Sequence, residues 1–116
     1  MHEASLARRI LDLVDDAAGG PPPRRVAVVH VRVGAFQSVV PSALEFAFEA
    51  LRAGTVAADA RLELTLEPVV LRCPACGDQP LPGAEFAPFC PTCGAVADPV
   101  AGMDLVLSAV TFEPES

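Results

Sequence analysis

RRVAVVHVRVGAFQSVVPSALEFAFEALRAG, residues 24–54, decides the fold, because the spacing of its apolar residues changes partway along. Up to Gly34 they alternate: Ala27, Val29, Val31 and Val33 fall on one side, and Val26, Val28, His30 and Arg32 on the other. Period two is that of a strand, so the first side is expected to meet helices while the second stays partly wet. From Pro41 the spacing lengthens to that of a helix, with Leu44, Ala47, Phe48 and Leu51 in one stripe and Gly54 as the stop. Ser42 and Glu45 stand at capping-box spacing and are expected to close the first turn.

Working outward, MHEASLARRI opens an earlier helix whose stripe reads Leu6, Ile10, Leu13, Val14 and Ala17, with Arg8, Arg9, Asp12, Asp15 and Asp16 opposite. Gly19-Gly20 followed by three prolines ends it. Downstream, RLELTLE at 61–67 alternates Leu62, Leu64 and Leu66 with Glu63, Thr65 and Glu67, and Pro68 closes that strand. MDLVLSAVTFE, 103–113, alternates more loosely and reads as a last strand. The expected fold class is therefore α+β: two helices packed on a three-stranded sheet, with an inserted cysteine module. Residues 1–68 plus 101–116 form the main domain, and 69–100 the insertion.

CPACG and CPTCG place Cys73, Cys76, Cys90 and Cys93 as two Cys-x-x-Cys pairs, each followed by glycine. Each pair brings two sulfurs to one ion from a tight turn, and four soft thiolates favour a closed tetrahedral Zn²⁺ site. Two disulfides, a redox dithiol or iron in place of zinc are the competing chemistries. The first needs an oxidising compartment and the second a strand-to-helix junction. An insertion this short cannot bury enough apolar surface to fold alone, so the metal is expected to supply much of its folding free energy, with Phe86 and Phe89 packed beside the ion.

Composition narrows the function. The chain has 116 residues, 52% of them hydrophobic and 20% charged, which is the balance of a globular domain. Its net charge of −7 repels phosphate backbones, and Arg72 is the sole basic residue of the insertion, so a nucleic-acid partner is not expected. No run approaches the roughly 18 apolar residues of a membrane span. Early acidic residues spoil any signal peptide, and a cytoplasmic protein is expected. No nucleophile is paired with a base, which argues against an enzyme.

The amino terminus carries a further pattern. The first helix starts without a Ser, Thr, Asp or Asn in front of it, and Met1, His2 and Glu3 stand there instead. The α-amine of Met1, the backbone nitrogen of His2 and the His2 imidazole are joined by linkages short enough to close fused chelate rings. Three such nitrogens suit tetragonal Ni²⁺ or Cu²⁺. Using the amide costs the helix nothing, because the first four N–H groups of a helix have no partner within it. Glu3 adds a carboxylate within reach of a fourth position, or is an ordinary first-turn acid. His30, on a strand face, reads as a half-buried structural residue.

MHE at the start, VRVGAFQSVVPSALEFAFEALRAGT in the middle and CPACG with CPTCG toward the end together resemble the hydrogenase nickel-incorporation protein A family (HypA/HybF). The resemblance spans nearly the whole chain in the same order. It implies a small nickel metallochaperone with a nickel-binding α/β domain and a zinc ribbon. It also implies Ni²⁺ as cargo at Met1, His2 and Glu3, and structural Zn²⁺ at Cys73, Cys76, Cys90 and Cys93. The implied partners are a GTPase nickel-insertion accessory protein and the large subunit of [NiFe]-hydrogenase, in some organisms urease, and a homodimer stays open. The chain departs from the family at GAF, 34–36, and at GTVAADARLEL, which lacks the common Glu-Gly before the strand, and no carboxylate lies near Val39-Val40-Pro41 to complete a nickel sphere. The rival is a zinc-ribbon adaptor with no transferable metal.

Overall fold

The computed structural model describes residues 2–81 and 87–114. In chain order these form α1 (His2–Ala18), β1 (Val26–Gly34), a 3-10 turn (Ala35–Gln37), α2 (Pro41–Leu51), β2 (Arg61–Glu67), β3 (Val70–Cys73), β4 (Gly77–Pro80), β5 (Asp98–Ala101) and β6 (Leu105–Phe112). One sheet has the order β2-β1-β6, and a second has the order β4-β3-β5. The α+β class, the two helices, the three-stranded sheet and the inserted cysteine module are as the sequence implies.

The direction of each pairing in the first sheet follows from its partners. Gly34 N–H donates to Asp104 O and Glu113 N–H to Arg25 O, so β1 and β6 run antiparallel. Side-chain partners on β1 and β2, His30 with Glu63 and Arg32 with Glu67, rise together along both strands. That is the order of a parallel pair, for which α2 supplies the crossover.

The helices bury less regular stripes than periodicity suggests. In α1 the buried residues are Leu6, Ala7, Ile10, Leu11, Val14 and Ala18, so the apolar face is turned toward Ala7 and Leu11 and away from Leu13 and Ala17. In α2 Leu44 and Phe48 are fully buried, and α1 and α2 pack against one another. Each such large side chain contributes about 1.5–3 kcal/mol on leaving water. On β1, Val29, Val31 and Val33 are buried as expected, but so are Val26 and Val28. At Val26 the connection 54–60 closes over the strand: Val26 N–H donates to Val56 O, and Ala57 and Ala60 are fully buried. On β2, an edge strand, Leu62 and Leu64 are half-buried while Leu66 is 59% exposed, so the alternation fails before Pro68.

The capping box does not form. Val40 is the N-cap of α2 and Pro41 its first residue, which puts Ser42 inside the helix, and no side chain of the cap bonds the first turn. Proline fits there because its missing N–H would have had no partner in the helix, and its fixed φ is already helical.

The chain divides into two compact units. One comprises Met1–Val31, Val39–Leu64 and Leu107–Ser116, and the other Arg32–Ser38 and Thr65–Val106. The second unit holds the whole of 69–100 together with residues 32–38. Glycine is what lets these segments meet: a Cβ on Gly34 would run into the backbone of Gly102 and Met103, and one on Gly102 into Pro68 and Val69. Gly102 also stands at φ +79, where a side chain is strained in any case. Gln37 Nε2 donates to Met103 O at 2.9 Å and Phe36 N–H to Gly102 O at 3.1 Å, completing that contact.

Candidate metal centre

Cys73 is the last residue of β3, and the chain reverses through Cys76 so that Gly77 pairs directly with Cys73 at the head of the β3–β4 hairpin. The second knuckle repeats this geometry. Cys90 N–H donates to Ala95 O, Gly94 N–H returns to Cys90 O, and Phe89 and Val96 form a bridge below the turn. Gly77 and Gly94 take φ values of 78 and 76, the left-handed backbone that turns amides back toward sulfur.

These two turns bring the four Sγ atoms within 4.8 Å of one another, and Cys73 and Cys93 stand 3.5 Å apart. Sulfurs about 2.3 Å from one tetrahedral ion lie about 3.8 Å from each other, so the cluster fits the closed four-thiolate site that zinc prefers. A disulfide needs sulfurs about 2.05 Å apart, and all four cysteines are free. The matched knuckles place neither pair at a strand-to-helix junction, where a redox dithiol would stand.

Electrostatics divide the thiols by position in each knuckle. The amides of Cys76 and Ala75 hold the Cys73 thiol below its ordinary value. At Cys90 the amide of Cys93 leads and that of Thr92 adds to it, against burial, and the thiol is pulled down to about 6. The second member of each pair goes the other way. Hydrogen bonding to Cys93, with burial, pushes Cys76 up to about 12. At Cys93 an amide from Ala95 works downward, yet the neighbouring Cys73 leaves the thiol raised. Four sulfurs this close cannot all carry charge alone, and a divalent cation removes that conflict.

Around the sulfurs, Val69, Leu71, Leu81 and Ala97 form a buried cluster with Cys73 and Cys90. Phe89 is not part of it and is 52% exposed, so Leu71 of β3 and aliphatic residues that flank the strands, not this ring, pack around the two buried cysteines. Phe86 lies outside the described residues. One polar link was not legible in the sequence: Gln79 donates to Cys76 O at 3.1 Å and accepts from Thr92 Oγ1 at 3.0 Å, tying one knuckle to the other. Arg72 is engaged by Asp78 across the hairpin at 2.9 Å, which leaves the ribbon no unpaired basic side chain among the described residues.

At the amino terminus, Met1 lies outside the described residues. His2 starts α1 with 47% of its side chain exposed, and its Nδ1 stands 3.8 Å from Glu3 Oε2. Glu3 is tied inward: its carboxylate accepts from Val40 N–H at 3.3 Å. Its own backbone N–H first, and then that of Val40, hold its carboxyl below the usual carboxylate range. Beside it an apolar groove of about 410 Å³ runs between Ala4 and Phe46, lined also by Ala43 and Ala47. His30 is held on the sheet by Glu63 at 3.2 Å and Thr111 at 3.0 Å.

A four-cysteine ribbon carried by an α+β domain, with an imidazole and a carboxylate at the start of its first helix, defines a small metal-binding protein. Residues 1–112 match the family described as hydrogenase/urease nickel incorporation, metallochaperone, hypA, and the chain belongs to that family. It is 35% identical to the hydrogenase maturation factor HypA of Thermomicrobium roseum, over 95% of this chain and 98% of that one. With the factor of the same name from Dechloromonas aromatica it shares 36% identity, over 97% and 100%. The solution structure of the Ni metallochaperone HypA from Helicobacter pylori superposes with a TM-score of 0.71 over 99% of this chain and all of that one, at 24% identity, which shows a common fold. Among the described residues no helix is long and apolar enough to cross a membrane.

Proposed function

We propose that this chain is a cytoplasmic nickel metallochaperone that binds Ni²⁺ at its amino-terminal segment Met1–Glu3 and delivers it during maturation of [NiFe]-hydrogenase, or of urease. The observation that carries this reading is the family match across residues 1–112. Cys73, Cys76, Cys90 and Cys93 hold a structural Zn²⁺ that stabilises the ribbon and is not passed on, since a closed four-thiolate site has no open position for an acceptor. Residues 69–100 are the zinc-ribbon domain, and 1–68 with 101–116 the nickel-binding domain. The partners are a GTPase nickel-insertion accessory protein and the hydrogenase large subunit. The protein is not an enzyme.

Delivery needs a site that binds and also lets go. The His2 amide has no acceptor four residues before it and the imidazole is half in solvent, so one face of the ion stays open to an incoming ligand. An α-amine, an amide nitrogen and an imidazole fill three positions of a tetragonal ion, and stepwise exchange then moves nickel onto the partner.

The experiment is nickel titration of zinc-loaded protein. Wild type is expected to bind one exchangeable nickel. His2→Ala is expected to lose it while keeping zinc and fold, because residue 2 precedes the buried stripe that begins at Leu6. One residue added before Met1 is expected to change nickel binding as well. Zinc content with no nickel binding in wild type would instead establish an adaptor without transferable metal.

A further inference from the structure

The four cysteines are not equally sheltered. Cys73 and Cys90 are 2% and 3% exposed and belong to the buried aliphatic cluster, and Cys76 is half-buried against it. Cys93 is exposed, and so is every residue from Pro91 to Val96. The stretch PTCGA, 91–95, offers no large apolar side chain that could draw the second knuckle into the core, so its apex stands in water. Beside this exposed cysteine, Cys73 Sγ lies 3.5 Å from Cys93 Sγ.

We infer that the ribbon is a peroxide-sensitive switch: Cys93 is the sulfur attacked, Cys73 the sulfur that resolves it, and the disulfide between the two knuckles takes two of the four donors away from zinc. This rests on the reading that the four cysteines hold Zn²⁺. The thiolate reacts and the thiol does not, and a bound cation keeps its thiolates deprotonated. Exposure then decides which of them the oxidant reaches. Cys93 Sγ attacks one oxygen of hydrogen peroxide: an S–O bond forms, the O–O bond breaks, and the departing hydroxide takes up a proton to become water. The Cys73 thiolate next attacks the Cys93 sulfur. An S–S bond forms, and the sulfenic oxygen leaves as hydroxide and is protonated in turn. The two sulfurs have lost two electrons, and one peroxide has gained them.

Geometry favours the cross-knuckle pair. Closing 3.5 Å to the about 2.05 Å of a disulfide asks for a movement of about 1.5 Å. Cys73, the last residue of β3 and paired with Gly77, is held in place, whereas the turn 91–96 has no buried residue to hold it back. Cys76 and Cys90 are left as thiols, too few for a closed four-thiolate site, while the new bond keeps the knuckles joined without the ion. A dithiol reductant reverses the step by thiol–disulfide exchange and restores the donor set.

The test treats full-length, reduced, zinc-loaded protein with hydrogen peroxide and follows zinc release with a chromogenic chelator, intact mass and a disulfide peptide map. Wild type is expected to release its zinc, to lose two hydrogens from the mass of the reduced chain, and to show Cys73 joined to Cys93. Dithiothreitol with added zinc is expected to restore the starting state. Cys93→His keeps four donors, as a Cys₃His set, but removes the attacked sulfur. It is expected to keep its zinc over the time in which wild type is emptied, whereas Cys76→His is expected to be emptied as fast as wild type. Zinc loss from Cys93→His at the wild-type rate would overturn the inference. So would a wild-type map that joins Cys90 to Cys93 or Cys73 to Cys76 in place of Cys73 to Cys93, and this map decides the matter even where a histidine variant fails to take up zinc. Absence of zinc from reduced wild type would overturn the zinc reading and the switch with it, and is read before any peroxide is added.

Discussion

Cys73 and Cys90 are 2% and 3% exposed, whereas His2 leaves 47% of its side chain in solvent. The four sulfurs converge from two knuckles that are themselves fixed by β3 and β4, by Gln79 and by a buried aliphatic cluster. At the other place, His2 stands in the first turn of α1, and the neighbouring Glu3 carboxylate accepts from Val40 N–H. On the proposed reading, the difference teaches how one small chain treats two divalent ions in opposite ways. Cys76 is half-buried and Cys93 exposed, so two of the four sulfurs anchor the set in the core, and a closed donor set anchored that way keeps its ion because release disturbs that core. A donor set at a helix start is reached by a partner without disturbing any core, because nothing there has to unfold.

The strongest way to break that contrast is Cys73→Ser or Cys90→Ser. Structural zinc contributes roughly 10–16 kcal/mol of apparent binding free energy in small modules, more than the whole stability of many domains. Either variant is expected to lose its zinc and unfold the ribbon, while α1 and α2 persist and far-ultraviolet circular dichroism keeps its helical signal. Loss of the helices along with the zinc would show that the ribbon and the helical unit form a single cooperative structure.

Sequence legibility followed the same divide between strong and weak local signals. Alternation over 24–34 and the helical spacing over 41–54 made β1 and α2 legible as elements, although β1 buries Val26 and Val28 as well as the face the alternation picks out. The cysteine knuckles were legible for a different reason, since metal chemistry demands both the residue type and the spacing. What stayed hidden depended on long-range contacts. The second sheet is made of VLRC, GDQP and DPVA, too short and too proline-containing to alternate. The approach of Gly34 to Gly102 joins two glycines that each look like ordinary punctuation. Ser42 and Glu45 matched a capping box, but the helix starts two residues too early for it, with Val40 as N-cap, and the acceptor came from Glu3 instead. Leu66 matched the alternation of β2 and is exposed all the same, at the end of an edge strand.

Acid sharpens the contrast with a smaller effect. A thiol whose folded value lies below its unfolded one stabilises the fold above the unfolded value, and that contribution disappears as pH falls through the folded one. Cys90 is pulled down to about 6 and Cys73 is lowered, both by knuckle amides, whereas Cys76 and Cys93 are raised by their neighbours, and it is a bound cation that holds all four as thiolates. Because the cation itself keeps the thiolates deprotonated, zinc is expected to stay bound from about pH 8 to about pH 6 and to leave only below that. Nickel on an α-amine, which ordinarily keeps its proton below about pH 8, is expected to weaken steeply over the same interval. A colorimetric chelator assay for each metal along one pH series measures both. A nickel profile flat between those values would point to a carboxylate site elsewhere.

The smallest effect is expected at His30, the second of the two histidines. Its ring lies between Glu63, 3.2 Å from Nδ1, and Thr111, 3.0 Å from Nε2, and Ser108 Oγ donates to its carbonyl at 3.0 Å. With both ring nitrogens engaged across β2, β1 and β6, its work is to join three strands on a half-exposed face. His30→Gln keeps a polar side chain but cannot reach both partners with the same geometry, so it is expected to cost about 1 kcal/mol, the worth of one hydrogen bond. Thermal unfolding should show a small drop, with zinc and nickel stoichiometry unchanged. Nickel loss in His30→Gln without loss of fold would place a cargo ligand on the sheet, and the division between a closed site and an exposed helix start would no longer describe how this chain handles its two metals.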